Sequence, residues 1–309
     1  MRKSDARRPI VTVATLAAAA ALVLSACGSS SSGAGVGPTT AGPAASSSAD
    51  ATLAAMLPAK IKTAGVVNVA TDASYAPIES FAADNKTIQG MDIDLGHAIG
   101  NVLGVKFNFV NASFDTIIPS LGTRYDLSMS AFTDNLARQQ KVDMVDYFSA
   151  GVNFLVQKGK NPDLTSLAAL CGKHVAVEKG TVQLDQATAQ SKSCTAAGKA
   201  AVDVQAYPDQ NGANLALNSG RADVVLADSP VNSYAAKQSN GALEVIGTSY
   251  GAAPYGIPVP KGADYAGFAA AIKGALEKLN ADGTYAQILK KWGVEAGAIS
   301  TFTINGATS

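Results

Sequence analysis

Gly90-Met91-Asp92-Ile93-Asp94-Leu95 decides how this chain folds. It opens a helical stripe: Leu95, Ala98, Ile99, Val102 and Leu103 recur at the spacing that turns one helix face to a core. Asp94 reads as the N-cap and Gly104 as the stop. Upstream, Val66 to Ala70 alternates apolar and small residues and reads as a strand ending at Thr71-Asp72. Downstream, Val105 to Val110 reads as the next strand. Strand, helix, strand is the repeating unit of an α/β fold.

The alternation continues outward. Phe114, Ile117, Ile118 and Leu121 form a second helical stripe, and Leu127, Met129 and Ala131 alternate as a strand. Further strands are expected at Val152 to Val156, at Val175 to Val177 before Lys179-Gly180-Thr181, and at Ala222 to Ala227 after a short helix. Asp264 to Asn280 and Thr284 to Trp292 read as two C-terminal helices around Asp282-Gly283. The pattern predicts an α/β fold with mostly parallel sheets. Ligands of such sheets sit at the carboxyl ends of the strands, which picks out Asp72, Ser130, Gly180-Thr181 and Asp228.

The N-terminal segment has a different character. Arg7-Arg8 precedes an apolar run from Ile10 to Leu24, shorter than the ~20 residues a membrane span needs. The run ends in Leu24-Ser25-Ala26-Cys27, which resembles a bacterial lipobox. That resemblance implies a signal peptide over residues 1–26 and a lipidated Cys27 as the first mature residue. The competing readings are an ordinary signal peptide with an incidental cysteine, or a transmembrane helix. Gly28 to Asp50 is almost entirely Ser, Gly, Ala, Pro and Thr, so a flexible linker is expected over 27–52. Lipid, tether and folded domain together predict an extracytoplasmic protein held on the outer face of the cell membrane.

Composition narrows the function classes. From Leu53 on, about 250 residues remain, enough for one large or two medium domains. The chain has 24 basic and 24 acidic residues. Loss of Arg2, Lys3, Arg7, Arg8 and Asp5 with the leader leaves a net charge of about −3, and no basic patch suggests a nucleic-acid partner. Cys171 and Cys194 remain, and an even pair outside the cell usually forms a disulfide, worth about 3 kcal/mol in the chain-entropy model. Two buried free thiols are the alternative. The two histidines, His97 and His174, sit in no metal-ligand spacing, and His97 falls on the outer side of its helix. No Gly-rich phosphate loop or nucleophile elbow occurs, and no cofactor or metal is expected.

The ordered series of motifs resembles the family 3 extracellular solute-binding proteins, the polar amino acid receptors of ABC importers. It runs from Thr71-Asp72-Ala73-Ser74-Tyr75-Ala76-Pro77 through Gly90 to Leu95, where Met91 replaces the usual aromatic or aliphatic residue. Phe114 to Leu121, Met129-Ser130 through Arg138-Gln139-Gln140, and Gly172 to Val177 with Gly180-Thr181 follow. Gly220-Arg221-Ala222-Asp223 and Tyr255-Gly256-Ile257 complete it, over nearly the whole chain after the tether. The resemblance implies a type II periplasmic-binding-protein fold, with two lobes, two hinge strands and the ligand in the cleft. Lobe 1 would be 53–150 plus 255–309, and lobe 2 would be 151–254 with the Cys171–Cys194 bridge inside it. It also implies a monomer with an amino acid ligand and an ABC permease as partners.

The same resemblance assigns roles in the cleft. Arg138 matches the fork that meets the ligand carboxylate, a bidentate contact lysine cannot reproduce. Ser130 and Thr133 match donors near it; at Ala131 only the backbone N–H would serve. Gly180-Thr181 match the lobe 2 donors, and Asp228 matches the acid that takes the ammonium. Gln183 either reaches the cleft or merely starts a helix, and Asp223 reads as a structural turn residue. Tyr75 and Phe114 match the walls around the ligand side chain, with ordinary core as the alternative. Asp72 matches a contact used for basic and amide ligands, and Glu178 points to the same end unless it pairs with Lys179 or Lys173 at the surface. Two carboxylates there favour a basic amino acid and repel a dicarboxylic one. Two other readings stay open: an enzyme like the cyclohexadienyl and arogenate dehydratases of the same fold, and a tethered sensor without transport.

Overall fold

The computed structural model describes residues 49–308; the expected signal peptide, Cys27 and most of the expected linker lie outside the described residues. Asp50 already belongs to the folded body. Its N–H donates to the Val102 carbonyl (2.8 Å) and its carboxylate caps α1 (Ala51–Ala55) and pairs with Lys278 (3.0 Å). The folded body therefore includes Asp50, two residues before the expected linker end at 52, because a polar side chain there closes a helix end.

After α2 (Ala59–Ala64), β1 (Val66–Thr71) forms the middle of a three-stranded sheet. A small antiparallel meander follows, with β2 (Ser74–Tyr75), β3 (Glu79–Phe81) and β4 (Ile88–Gln89). Then come α3 (Met91–Leu103), β5 (Lys106–Asn111), α4 (Phe114–Ser120), β6 (Leu127–Ser128) and α5 (Leu136–Gln139). β5 and β6 flank β1, both parallel to it.

The decisive hexapeptide starts its helix earlier than expected. Gly90 is the N-cap and Asp94 lies inside α3. The first-turn N–H groups of Met91 and Asp92 are taken by the carbonyls of Pro77 (3.1 Å) and Ile78 (3.0 Å), so no side-chain cap is needed. Gly90 has φ 146°, and a Cβ there would lie 2.1 Å from the Ile78 oxygen. The two acids then part. Asp92 is fully buried, whereas Asp94 accepts from Lys291 Nζ (2.6 Å) and Trp292 Nε1 (2.7 Å) on a C-terminal helix. The strand expected through Ala131 stops at Ser128, and Ala131 itself adopts φ 51°.

The second sheet is five-stranded and mixed, so the chain is less uniformly parallel than its alternation predicts. β7 (Val142–Gln157) absorbs the strand expected at 152–156. It is followed by β8 (His174–Glu178), α6 (Val182–Ala196), β9 (Asp203–Tyr207), α7 (Gln210–Asn218), β10 (Val224–Asp228) and α8 (Ser229–Gln238). β11 (Leu243–Pro260) then returns antiparallel along β7. β10, β8 and β9 are parallel, and β7 joins them antiparallel to β10. The expected lobe borders at 150 and 254 both fall inside these two long strands, in the stretch where their pairing carries its register shifts. The tail bridges back at Val145–Ile304.

α9 (Phe268–Ala281) and α10 (Thr284–Trp292) close lobe 1 against α3. The helix expected from Asp264 begins only at Phe268, after a 3-10 turn at Ala263–Tyr265. Leu95, Ile99, Val102, Ile272 and Leu276 are all buried in one core. A second core, under β8 and β10, includes Val175, Val177, Val224 and Leu226.

Cys171 and Cys194 are bonded, tying the turn before β8 to the last turn of α6. Reduction of this bridge is expected to cost about 3 kcal/mol and to lower the melting temperature by roughly 10 °C. Melts with and without reductant measure this. An unchanged midpoint would mean the bridge adds nothing to global stability.

Candidate functional site

The carboxyl ends of β1, β6, β8 and β10 converge on one narrow cavity. Of the residues expected to hold ligand, all line it except Gly180. Gly180 stands at its rim, where its carbonyl accepts from Arg138 Nη2 (3.2 Å).

Arg138 rises from α5. Its Nη1 donates to the Thr133 carbonyl (2.8 Å), and the guanidinium lies over the rings of Phe132 (4.9 Å) and Phe114 (5.5 Å). These rings stack on each other at 4.1 Å. Burial lowers the guanidinium to a pKa of about 10, which leaves it cationic at neutral pH. It is the one cationic side chain of the cavity wall. Facing it, α6 points its N-terminus at the cavity through Val182 and Gln183. Thr181 Oγ1 accepts from Leu184 N and donates to the Glu178 carbonyl. Its hydroxyl is therefore occupied as a helix cap, and the donors left for a ligand are the first-turn backbone N–H groups.

Asp228 ends β10 and is buried. Its carboxylate accepts from Tyr255 OH (2.6 Å) and Gln183 Nε2 (2.7 Å), so Gln183 does reach the cleft. Burial raises it to a pKa of about 6 against those bonds and the nearby Arg138 charge. Tyr75 crosses from lobe 1 to accept the Asp228 backbone N–H (3.0 Å). Asp223 is structural: its Oδ2 takes the His174 N–H (2.9 Å) where β8 starts.

Three further acids share the cavity. Asp72 takes the Phe114 N–H at 2.9 Å, and burial raises its pKa. Glu178 is 3 % exposed and faces Asp72. Its alternative surface partners are used elsewhere, Lys179 by Asp115 (3.6 Å) and Lys173 by Asn161 (3.3 Å). Burial first, then the Asp72 charge, pushes the Glu178 carboxyl well above the ordinary range. Glu79, which the sequence reading missed, is 1 % exposed at the cavity wall and sits beside Asp92. Its only signal was an acid placed directly after the apolar Ala76-Pro77-Ile78. Phe132, beneath Arg138, was missed for the same reason as most walls: an apolar residue carries no mark of which cavity it lines.

Two expected donors are committed to the scaffold. Ser130 Oγ accepts the Asp72 N–H (2.9 Å) and donates to Glu79 Oε1 (3.2 Å). The Ala131 N–H, expected to serve a ligand, turns to Asp92 Oδ2 (3.3 Å) in the left-handed conformation of that residue.

The sequence profile of the bacterial extracellular solute-binding proteins, family 3, matches residues 67–295. The chain belongs to that family. The arginine-binding protein ArgT of Corynebacterium glutamicum is 35% identical over 254 residues, covering 81% of this chain and 82% of that protein. Among solved structures, an ancestral arginine-binding protein bound to arginine superposes with TM-score 0.67 at 35% identity, covering 74% of this chain and 98% of that one. The ancestral amino acid-binding protein AncCDT-1, a precursor of cyclohexadienyl dehydratase, gives TM-score 0.64 at 32% identity, covering 75% and 97%. This family 3 protein therefore has the two-lobed binding-protein fold, with its polar cavity in the cleft.

Proposed function

We propose that this protein binds a basic amino acid between its lobes and delivers it to an ABC importer. In this reading Cys27 carries the lipid that holds the protein, as a monomer, on the outer face of the membrane. One observation carries the ligand class: a single cavity holds one guanidinium and a helix N-terminus, one acid on the far lobe, and a separate pair of acids. Arg138 with the α6 N-terminus complements a carboxylate, and Asp228 complements an ammonium. Asp72 and Glu178 then leave a place for a second positive charge, since a buried ion needs an opposite partner. Similarity to arginine-binding proteins supports the same reading.

A thermal-shift screen of the protein against the common amino acids, prephenate and arogenate tests it. A ligand specific to the folded state adds about 2.7 kcal/mol at a hundredfold excess over its dissociation constant. Arginine, lysine, ornithine or histidine is expected to raise the melting temperature. Tight binding of glutamate or aspartate would sink the basic preference. A Glu178 carboxyl raised by burial in a cleft is also what a proton-donating dehydratase needs. Turnover of prephenate or arogenate, with no shift by any amino acid, would establish that enzyme instead.

A further inference from the structure

The Asp72 and Glu178 carboxyls, one from each lobe, are both buried and line the same cavity. Two buried carboxylates at one site repel each other, so without a cation beside them one keeps its proton. The surroundings hold that proton in place. Glu178 Oε1 is buried with no hydrogen-bond partner, and Asp72 is 6 % exposed. No lysine or arginine forms an ion pair with either acid among the described residues. The groups that face them are acidic or neutral: Asp209 and Asp228 from lobe 2, Glu79 behind Asp72, and the Tyr75 phenol beside Glu178. Arg138 faces Asp228.

We infer that a cationic ligand side chain enters this place by replacing that proton, so that binding a basic amino acid releases one proton while binding a neutral amide releases none. The inference rests on the reading of the cleft as a basic amino-acid site. The proton leaves the Asp72–Glu178 pair for solvent, and the ligand's positive charge takes its place beside two ionised carboxylates. Closure on an amide ligand keeps the proton, since a protonated carboxyl donates to an amide oxygen. Acidity would then set the choice of ligand. The empty pair holds its proton well above the ordinary carboxylate range, and the cation-bound pair gives it up. Affinity for a cation is thus greatest at high pH and is lost as pH falls through the raised value.

Calorimetric titration of the purified protein with L-arginine and with L-glutamine, in two buffers of unlike ionisation enthalpy, counts the protons. Up to about one proton per arginine is expected below the pair's raised value, with arginine affinity rising there by up to about tenfold per pH unit. Any glutamine binding should show neither effect. Glu178→Gln, whose amide can donate to Asp72 in place of the proton, should bind arginine with no proton release and a flat pH profile. Asp72→Asn gives the same test should that variant not fold. Arginine binding by the unaltered protein without proton release would overturn the inference and leave the binding reading standing. Failure to bind any basic amino acid would overturn the reading on which it rests.

Discussion

Arg138→Ala is expected to weaken binding of a basic amino acid by about a hundredfold or more while leaving the fold intact. Arg138 is the only cationic side chain of the cavity wall, so its loss leaves a ligand carboxylate with backbone donors alone. Stranding one partner of a buried charge pair costs about 2–5 kcal/mol, and 1.4 kcal/mol is tenfold in affinity. The guanidinium also donates to the Gly180 carbonyl on the other lobe, so the variant loses a closing contact as well. What the fold loses is smaller: the face-on contact with Phe132 is worth about 0.5–1 kcal/mol at a partly exposed site. Arg138→Lys restores charge without the two-pronged geometry and should recover only part of the affinity. Wild-type affinity for arginine in Arg138→Ala, measured by calorimetry, would remove Arg138 from the carboxylate site.

Gly180→Ala should also weaken binding, by a different route. Gly180 has φ 80°, and a Cβ there would lie 2.9 Å from both Cα and Cβ of Asp115 on the opposite lobe. The left-handed strain, about 1–2 kcal/mol, is present whether the lobes are open or shut. The collision with Asp115 arises only when they are shut. Affinity is therefore expected to fall at least about tenfold, the equivalent of 1.4 kcal/mol, with the empty protein still folded. Solution scattering with saturating arginine should show less compaction than the unaltered protein gives. Full compaction with unchanged affinity would mean that the approach of Gly180 to Asp115 is dispensable.

The sequence carried some of this in plain view and hid the rest. Helical spacing from Leu95 to Leu103 located α3, because a buried face repeats. Its start was hidden, since Gly90 is capped by carbonyls of a distant turn and no side chain marks that. The charged cleft residues were legible because Arg138 and Asp228 end or follow recognisable elements in a known series. The state of each donor was not: Ala131, Ser130 and Thr181 all face the cavity, yet each spends its nearest donor or hydroxyl on the protein itself. Such commitments depend on backbone conformation and on partners far along the chain. Asp72 and Ser130 lie 58 positions apart.

Lobe 1 draws on both ends of the chain, and this has a consequence for how the protein is made. A polypeptide leaves the ribosome N-terminus first. Until residues 268–292 have emerged, the buried face of α3 has no α9 or α10 to cover it, and Asp94 lacks Lys291 and Trp292. Residues 174–228, by contrast, supply β8, β9 and β10 from one continuous stretch. Lobe 1 therefore completes its core last, after nearly the whole chain is made, because contacts between distant segments form slowly.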